Sequence, residues 1–434
     1  MIVALIIFFL AYVAIASEKF PRHWVALLGG AVLVLFGVLT PEDALSYIGW
    51  ETLGLIAGMF VLLSILYEAG FFSWLAMTAV RKVNYHPASL FVILIVMSAL
   101  LSMLMGSITV MLFLSALTLQ LCRMLKMDPV PLIIAEVCAA NTGGAGTLVG
   151  DPPNMILGTA LGFGFADFAT HTGPISLAGT LLLVIIFYLV NRKALKTAHS
   201  ELTKEMIADI EILHNEPVHA HLTRVGITGF LMAVLLLVFH LPLSSLTGLP
   251  INAALAALIP AGLALIAMRD NQRKKILTKV DGQSILFFTG LFVLIGGLEK
   301  VHLFDILSEK LAEVSASNPT ALLLALHWGP GLVSGILDNV PLALAMTYVL
   351  GDLSQVAGMP ALGLMVWSLA LGVDIGGNMT PIGASANVVA YSHMEHHHGL
   401  IGWKRWIIIA APPTLAVMIL SSLLVLLKGQ IGWY

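Results

Sequence analysis

Three aspartates lie inside apolar stretches of this chain and are its first candidates for chemistry. Asp151, Asp338 and Asp374 each stand close to glycine, asparagine or proline in segments that are otherwise mostly aliphatic. A carboxylate near the centre of a bilayer costs about 2.5–3.5 kcal/mol on insertion scales, so acids in such segments are functional candidates. Since a buried carboxylate can bind and release a small cation, we expect these three residues to carry a proton, or alternatively sodium.

A duplicated motif surrounds two of these aspartates. The pattern G-G-x-x-T-x-x-G-x-x-x-N begins at Gly143 and again at Gly376, which is 233 residues later. Glycine permits non-helical backbone and close approach of a ligand to the main chain, and the prolines of the motif stop a helix from re-forming. Close packing through small residues is the structural alternative, but it does not explain two matching patterns at equivalent places. The motif therefore predicts one broken membrane helix in each half.

The polar residues of the two breaks form a predicted binding site for a small oxygen-bearing solute. Short hydroxyl and amide groups, with the partial charges of exposed half-helix ends, suit a neutral hydroxide, a hydrated cation or a carboxylate. No catalytic residue, metal ligand or organic cofactor is predicted. The predicted substrate-binding residues are Asn141, Thr142, Gly143, Gly144, Thr147, Asn154, Asn339, Gly376, Gly377, Asn378, Thr380, Ser385 and Asn387.

Two other polar features have competing interpretations. Glu136 lies shortly before Asn141, where a proton relay and a bond to the broken backbone are equally plausible. A histidine run near the end of the second break is typical of a solvated helix end, which we favour over a metal cluster. That run consists of His393, His396, His397 and His398.

The composition identifies the class of protein that must position these residues. Of 434 residues, 59% are hydrophobic and only 10% are charged, and the mean hydropathy is +0.97. Soluble domains carry about 25% charged residues, so the chain is predicted to be a polytopic membrane protein. The net charge of −3, without a basic stripe, argues against nucleic acid as a partner. Cys122 and Cys138 are too few for a disulfide framework.

Apolar runs long enough to cross about 30 Å of hydrocarbon indicate single spans. They fall at 2–16, 24–39, 51–67, 174–190, 225–240, 251–268, 283–298 and 405–427. The first run has no basic residue before it and no cleavage site, so we interpret it as a retained helix. Basic clusters are expected on the cytoplasmic side, at 19–22, 81–82, 123–126, 192–204, 269–279 and 404–405.

These sides imply two hairpins. Segment 89–122 begins and ends at cytoplasmic flanks, and segment 320–356 begins and ends outside, so each either crosses twice or enters and returns as a hairpin, with tips near Gly106 and Asp338. Each half then crosses the membrane an odd number of times, so the second half must be inverted. We predict an all-α polytopic membrane protein with two inverted-topology repeats, each containing a re-entrant helical hairpin and a broken transmembrane helix. The predicted divisions are 1–190, a cytoplasmic linker at 191–224, and 225–434.

The order of these motifs carries a family resemblance. Asn141-Thr-Gly-Gly with Gly150-Asp-Pro-Pro-Asn154, then Asp338-Asn339-Val-Pro, then Asp374-Ile-Gly-Gly-Asn378 with Gly383-Ala-Ser-Ala-Asn387, resembles the ion transporter superfamily. The arsenite permeases and the melanosomal P protein look closest, and the NhaD-type sodium/proton antiporters and citrate carriers look more distant. The resemblance implies an inner-membrane transporter of a small inorganic solute. A homodimer and a cytoplasmic ATPase subunit are the further partners it allows.

The chain departs from these relatives at the first hairpin. Related permeases commonly carry an Asp-Asn pair in both hairpins, whereas this sequence has Gly106-Ser107 opposite Asp338-Asn339. We therefore expect a single coupling ion, carried mainly on the side of Asp338 and Asp374. Asp151 could compensate in part, although capping of the half-helix that starts at Pro152 is an equal alternative for it.

The leading hypothesis is arsenite or antimonite efflux in exchange for protons, and the first alternative is a sodium/proton antiporter. An anion or carboxylate carrier comes third, because segment 374–387 contains no arginine or lysine. An intramembrane hydrolase ranks low, since Leu148-Val-Gly-Asp151 lacks the first glycine of a Gly-x-Gly-Asp element and no His-Glu-x-x-His occurs. A passive channel also ranks low. We expect no enzymatic activity.

Overall fold

The computed structural model describes residues 1–17, 19–197, 219–399 and 401–433, and all regular secondary structure in these ranges is helical. The first eleven helices are α1 (Ile2–Ala16), α2 (Arg22–Leu35), α3 (Pro41–Ser46), α4 (Trp50–Glu68), α5 (Phe71–Lys82), α6 (Pro87–Met105), α7 (Ser107–Met124), α8 (Pro129–Gly144), α9 (Pro152–Leu161), α10 (Phe165–His171) and α11 (Gly173–Thr197). The others are α12 (Ala220–Thr247), α13 (Ala253–Ile266), α14 (Asp270–Leu277), α15 (Gly282–Glu299), α16 (Leu303–Ser317), α17 (Pro319–Ser334), α18 (Asn339–Gln355), α19 (Leu362–Gly376), a 3₁₀ turn (Gly377–Met379), α20 (Ser385–His398) and α21 (Trp403–Ile431).

The predicted spans are confirmed as apolar helices. In the described ranges, eight helices are long and apolar enough to cross a bilayer, and they include α4, α11, α12, α15 and α21 from the predicted set. The predicted spans 2–16, 24–39 and 251–268 form the shorter apolar helices α1, α2 and α13. Most of the predicted linker lies outside the described residues, at 198–218, although α11 and α12 extend into both of its ends.

Both hairpins and both breaks form where the sequence predicts them. Helix α6 ends at Met105 and α7 begins at Ser107, with Gly106 between them at φ +79°, a left-handed value that favours glycine. Ser98 Oγ on α6 lies 3.9 Å from Met111 Sδ on α7, so the two arms run side by side. The second hairpin turns between α17 and α18. The breaks separate α8 from α9 and α19 from α20.

Contacts between the halves establish the inversion. Helix α4 begins beside the start of α13, where Glu51 Oε1 accepts a hydrogen bond of 2.9 Å from the Ala253 N–H. The same helix ends beside the start of α15, where Glu68 pairs with Lys275 and Lys279. Helix α15 is the counterpart of α4 in the second half. Since the start of one lies at the end of the other, the two run in opposite directions.

Equivalent glycines bring the two halves into close contact. A Cβ atom at Gly58 of α4 would lie 2.7 Å from the Ala257 carbonyl carbon of α13. A Cβ atom at Gly290 of α15 would lie 2.5 Å from the Ala26 carbonyl carbon of α2. Because only glycine permits such an approach, the pairs α4–α13 and α2–α15 form a scaffold across the repeats. The breaks and hairpins are held beside this scaffold.

Polar contacts join helix ends that were predicted to share a side. Arg405 pairs with Asp128 at the predicted cytoplasmic end. Lys300 Nζ lies 3.0 Å from Asp43 Oδ1 at the predicted outer end, and Lys428 Nζ lies 3.0 Å from His171 Nδ1 at the same end. These contacts agree with the sides assigned from basic residues.

Candidate functional site

The polar residues of the first motif hold the broken backbone. Asn154 Nδ2 donates hydrogen bonds to the carbonyl oxygens of Gly144 and Thr147, at 3.1 and 3.0 Å. The Thr147 hydroxyl donates to the Met103 carbonyl near the tip of the first hairpin. A carbonyl left unpaired in the membrane costs several kcal/mol, so these bonds stabilise the break and tie it to the hairpin.

The second motif repeats this arrangement. Asn387 Nδ2 donates to the carbonyl oxygens of Gly377 and Thr380, at 2.8 and 2.7 Å. The Thr380 hydroxyl donates to the Gly335 carbonyl of the second hairpin at 2.5 Å. The threonine and asparagine of each motif, predicted to bind substrate, are therefore engaged by main-chain carbonyl groups in this structure.

The glycines of the motif bring backbones together. A Cβ atom at Gly143 would lie 2.3 Å from the Ala99 carbonyl oxygen of α6, and one at Gly376 would lie 2.0 Å from that of Gly331 in α17. At Gly144 and Gly377, a Cβ atom would lie 2.8 and 2.9 Å from a carbonyl oxygen across the break. These four glycines are therefore sites of close backbone packing, and their contact with substrate stays a prediction.

This network gives a test of the motif asparagines. We expect Asn387→Ala to lower the thermal stability of the protein in detergent, because buried carbonyl groups at the second break would lose their donor. Leaving one such group unsatisfied costs about 1–3 kcal/mol. The matched control is Asn191→Ala, since Asn191 Nδ2 donates to a single carbonyl, that of Phe187, at 2.8 Å near the end of α11. Equal melting temperatures for the two variants would contradict this role.

A buried carboxyl cluster joins the two breaks. Asp151 Oδ1 accepts a hydrogen bond of 2.7 Å from Ser107 Oγ at the first hairpin tip. Asp151 Oδ2 accepts one of 2.9 Å from Asn339 Nδ2, and the same amide nitrogen lies 3.4 Å from Asp374 Oδ1. Asp374 Oδ2 is buried without a hydrogen-bond partner among the described residues. One amide thus connects a carboxyl group from each repeat.

The electrostatics of this cluster require a compensating ion. Asp151 is 2% exposed and Asp374 is fully buried, so water screens their mutual repulsion poorly. Burying an isolated charge is far more costly than burying a neutral group. A proton on one carboxyl, or a cation held between them, would remove the repulsion. The cluster is therefore suited to binding one monovalent cation at a time.

Asp338 lies beside this cluster and bonds other groups of the second hairpin and the second break. Its Oδ1 accepts a hydrogen bond of 3.0 Å from the Val340 N–H and caps α18, and its Oδ2 accepts one of 3.1 Å from Ser385 Oγ. In contrast, the Asp151 side chain makes no capping bond to α9. The bond by which Asp151 would cap α9 is therefore not formed, whereas Asp338 caps α18. The coupling role of Asp338 stays a prediction.

Amide groups form a second buried cluster next to the carboxyl groups. Asn141 Nδ2 lies 2.8 Å from both Asn378 Oδ1 and Asn387 Oδ1, and Asn378 Nδ2 donates to the Cys138 carbonyl at 3.4 Å. Asn141 Oδ1 and Thr142 Oγ1 are buried without partners among the described residues. The structure thus brings residues of the first break into direct contact with residues of the second.

Arg22 reaches the site although segment 374–387 contains no basic residue. Its Nη1 donates to Ser385 Oγ at 3.0 Å and its Nη2 to Ser284 Oγ at 3.2 Å, and the guanidinium lies 5.0 Å from the Phe287 ring centroid. From the sequence, Arg22 is only part of the basic cluster at 19–22 that is expected on the cytoplasmic side. The signal that could have identified it is its position at the first residue of a short apolar helix.

A cavity of about 460 Å³ leads to the carboxyl cluster from one side. Its inner end is formed by Gly106, Ser107 and Asp151, and its other end by Tyr67 and Lys279. Lys279 belongs to a basic cluster that was predicted to be cytoplasmic. The structure is therefore open towards the predicted cytoplasmic side, and the volume is within the range of small-molecule sites.

Sequence comparisons agree with this architecture. The citrate transporter family matches residues 12–372 and 293–429. An uncharacterized transporter of Mycobacterium tuberculosis is 35% identical over an alignment of 396 positions, which covers 89% of each chain. The human P protein is 29% identical over an alignment of 463 positions, which covers 89% of this chain and 55% of the P protein.

Two solved transporter structures have a similar fold. The Alcanivorax borkumensis YdaH transporter, described as having an unusual topology, aligns with a TM-score of 0.63 at 14% identity and covers 95% of this chain and 97% of its own. MtrF of Neisseria gonorrhoeae aligns with a TM-score of 0.54 at 12% identity, over 91% and 83% of the two chains. At these identities the likeness concerns the fold alone.

Proposed function

The chain belongs to the citrate transporter family within the ion transporter superfamily, and we propose that it is a proton-coupled secondary carrier. Its family and relatives make it a multi-pass transporter of the cell membrane and not an enzyme. The observation that supports proton coupling is the buried cluster of Asp151, Asn339 and Asp374 at the end of the cavity. Carboxyl groups at the meeting point of two broken helices mark an ion pathway.

The proposed mechanism follows from the shared amide. With a proton bound, the two carboxyl groups lose their repulsion and the breaks can approach each other. Without it, the repulsion between Asp151 and Asp374 favours separation of the two repeats. Protonation therefore biases an equilibrium between two arrangements of the hairpins and breaks, and the inverted repeats supply two such arrangements that open to opposite sides.

For the substrate we propose arsenite or antimonite, moved outwards in exchange for protons. The neutral trihydroxides need hydroxyl and amide partners rather than a fixed charge. Ser107 and Thr109 line the cavity, and Asn339 lies next to its inner end. The opening towards the predicted cytoplasmic side is where an exported solute would enter. Weak binding of this kind suits a carrier, because the solute must also leave.

A carboxylate carrier is the second candidate, and Arg22 supports it. A guanidinium binds a carboxylate through two parallel hydrogen bonds. Arg22 makes its present bonds to the hydroxyl groups of Ser385 and Ser284, which a carboxylate could displace. The family match points the same way. Sodium/proton antiport remains the alternative in which the carboxyl cluster binds sodium.

Transport by the purified protein in liposomes tests this proposal. We expect radioactive arsenite to accumulate on one side only while an opposing proton gradient is present, and the accumulation to collapse when a protonophore is added. Antimonite, citrate and sodium are measured in parallel. Movement of citrate alone would mean that the substrate is a carboxylate and not arsenite. Movement of sodium alone would favour the sodium/proton antiporter. Rates equal to those of empty liposomes for all four would contradict proton-coupled transport.

A further inference from the structure

Glu136 is a buried carboxyl group that the proposed site does not use. It lies on α8, is fully buried, and accepts at Oε1 a hydrogen bond of 2.6 Å from Thr118 Oγ1 of α7. Its Oε2 has no hydrogen-bond partner among the described residues. The backbone bond considered from the sequence is not formed by this side chain. A carboxyl group with one free oxygen in an apolar interior is costly unless it binds a proton.

The hairpin arm α7 connects Glu136 to the carboxyl cluster. Ser107, Ser115 and Thr118 follow each other at spacings of eight and three residues, which places them on one face of the helix. Ser107 bonds Asp151 at 2.7 Å, whereas Thr118 bonds Glu136. One face of α7 thus presents one hydroxyl group that bonds Asp151 and another that bonds Glu136.

A histidine lies next to this face, between Thr118 and the hairpin tip. Ser115 Oγ is 2.6 Å from His393 Nδ1, and His393 is half-buried on α20, which leads away from the second break. The helices α7, α8 and α20 contact one another at this place. The other titratable groups on these helices are Cys122 and Arg123 of α7, Cys138 of α8 with Asp128 at its start, and Tyr391, Glu395, His396, His397 and His398 of α20. Asp128 is paired with Arg405.

We propose that Glu136 is a second proton-binding carboxyl group, which relays protons between the cytoplasmic side and the cluster of Asp151 and Asp374, with His393 between them. The hydroxyl groups of Ser115 and Thr118 line the route. In each cycle Glu136 gains at its free oxygen a proton that the carboxyl cluster releases, and then loses it to water on the cytoplasmic side, so each bond to hydrogen that forms is matched by one that breaks. The inference rests on the proposed proton coupling.

Two modes of transport separate a relay from a structural role. Glutamine at position 136 keeps an oxygen that can accept from Thr118 but cannot carry a proton. We expect Glu136→Gln to retain exchange of arsenite across the liposome membrane without a gradient, and to lose proton-driven accumulation by about tenfold or more. If only citrate moves through the wild type, citrate is the probe. Glu51→Gln is the matched control, because Glu51 caps α13 through Ala253 and should retain both modes.

The outcomes distinguish the relay from the proposed function. A wild type that ignores the proton gradient would contradict the proposed coupling itself. With a coupled wild type, unchanged accumulation by Glu136→Gln would overturn the relay, and so would equal loss of both modes in a folded variant. If the variant does not fold, wild-type protein is treated with dicyclohexylcarbodiimide, which attacks protonated buried carboxyl groups. Labelling of Glu136 that decreases as the pH rises supports the relay, and absence of labelling at every pH overturns it.

Discussion

Asp151→Asn is expected to abolish proton-driven transport while leaving a folded protein. Asparagine has the size of aspartate and can still accept from Ser107, whose bond to Asp151 is 2.7 Å long. It cannot bind a proton at neutral pH. The cluster therefore keeps only one carboxyl group, and the repulsion between Asp151 and Asp374 is lost. We expect the rate of arsenite accumulation in liposomes under a proton gradient to fall by about a hundredfold or more.

Asp374→Asn should have the same effect, because both carboxyl groups are joined through Asn339. Groups that act as a unit show strongly non-additive losses. The double variant, with both aspartates replaced, should therefore be no slower than either single variant. Additive losses would mean that the two acids carry separate ions.

Asp338→Asn is the matched control for these variants. Asp338 caps α18 through the Val340 N–H, and asparagine is an equally good capping residue. We expect Asp338→Asn to transport at a rate close to the wild type. If instead this variant loses transport and Asp151→Asn retains it, the sequence-based assignment of coupling to Asp338 is right and the cluster is not the proton site.

Gly376→Ala is expected to have the largest effect on stability. The new Cβ atom would lie 2.0 Å from the Gly331 carbonyl oxygen, so the broken helix and the hairpin arm would have to separate. Forcing one additional carbon into a close-packed interior costs about 1–3 kcal/mol, and backbone can give way less easily than a side chain. Thermal unfolding in detergent should show a clear loss, and transport should fall with it.

Gly329→Ala provides the control for this substitution. Gly329 lies on α17, two residues before Gly331, and no atom lies within 4 Å of the place where its Cβ would be. Replacing such a helical glycine by alanine stabilises a protein by about 0.4–1 kcal/mol. The same change from glycine to alanine should therefore shift the melting temperature in opposite directions. Gly376→Ala should lower it, and Gly329→Ala should raise it. Equal shifts would contradict backbone packing as the reason for Gly376.

Features encoded along the chain could be predicted from the sequence. The breaks follow from glycine and proline, and the hairpins and the inversion from the sides of the basic residues. Which groups meet across the repeats could not be predicted, because that depends on packing between helices far apart in sequence. Asp151 illustrates this point, since nothing near it indicates that Asn339 lies 2.9 Å away. Arg22 is a second case, 363 residues before its partner Ser385.

The carboxyl pair is assembled from unlike positions of the two repeats. In the second break Ala384 stands where the first has Asp151, and in the first break Asn141 stands where the second has Asp374. Two copies of the first half would therefore set an aspartate against an asparagine, and two copies of the second would set an aspartate against an alanine. Neither half, paired with a second copy of itself, could therefore form the carboxyl pair. Each half supplies one carboxyl group of the pair, so the two halves can function only together.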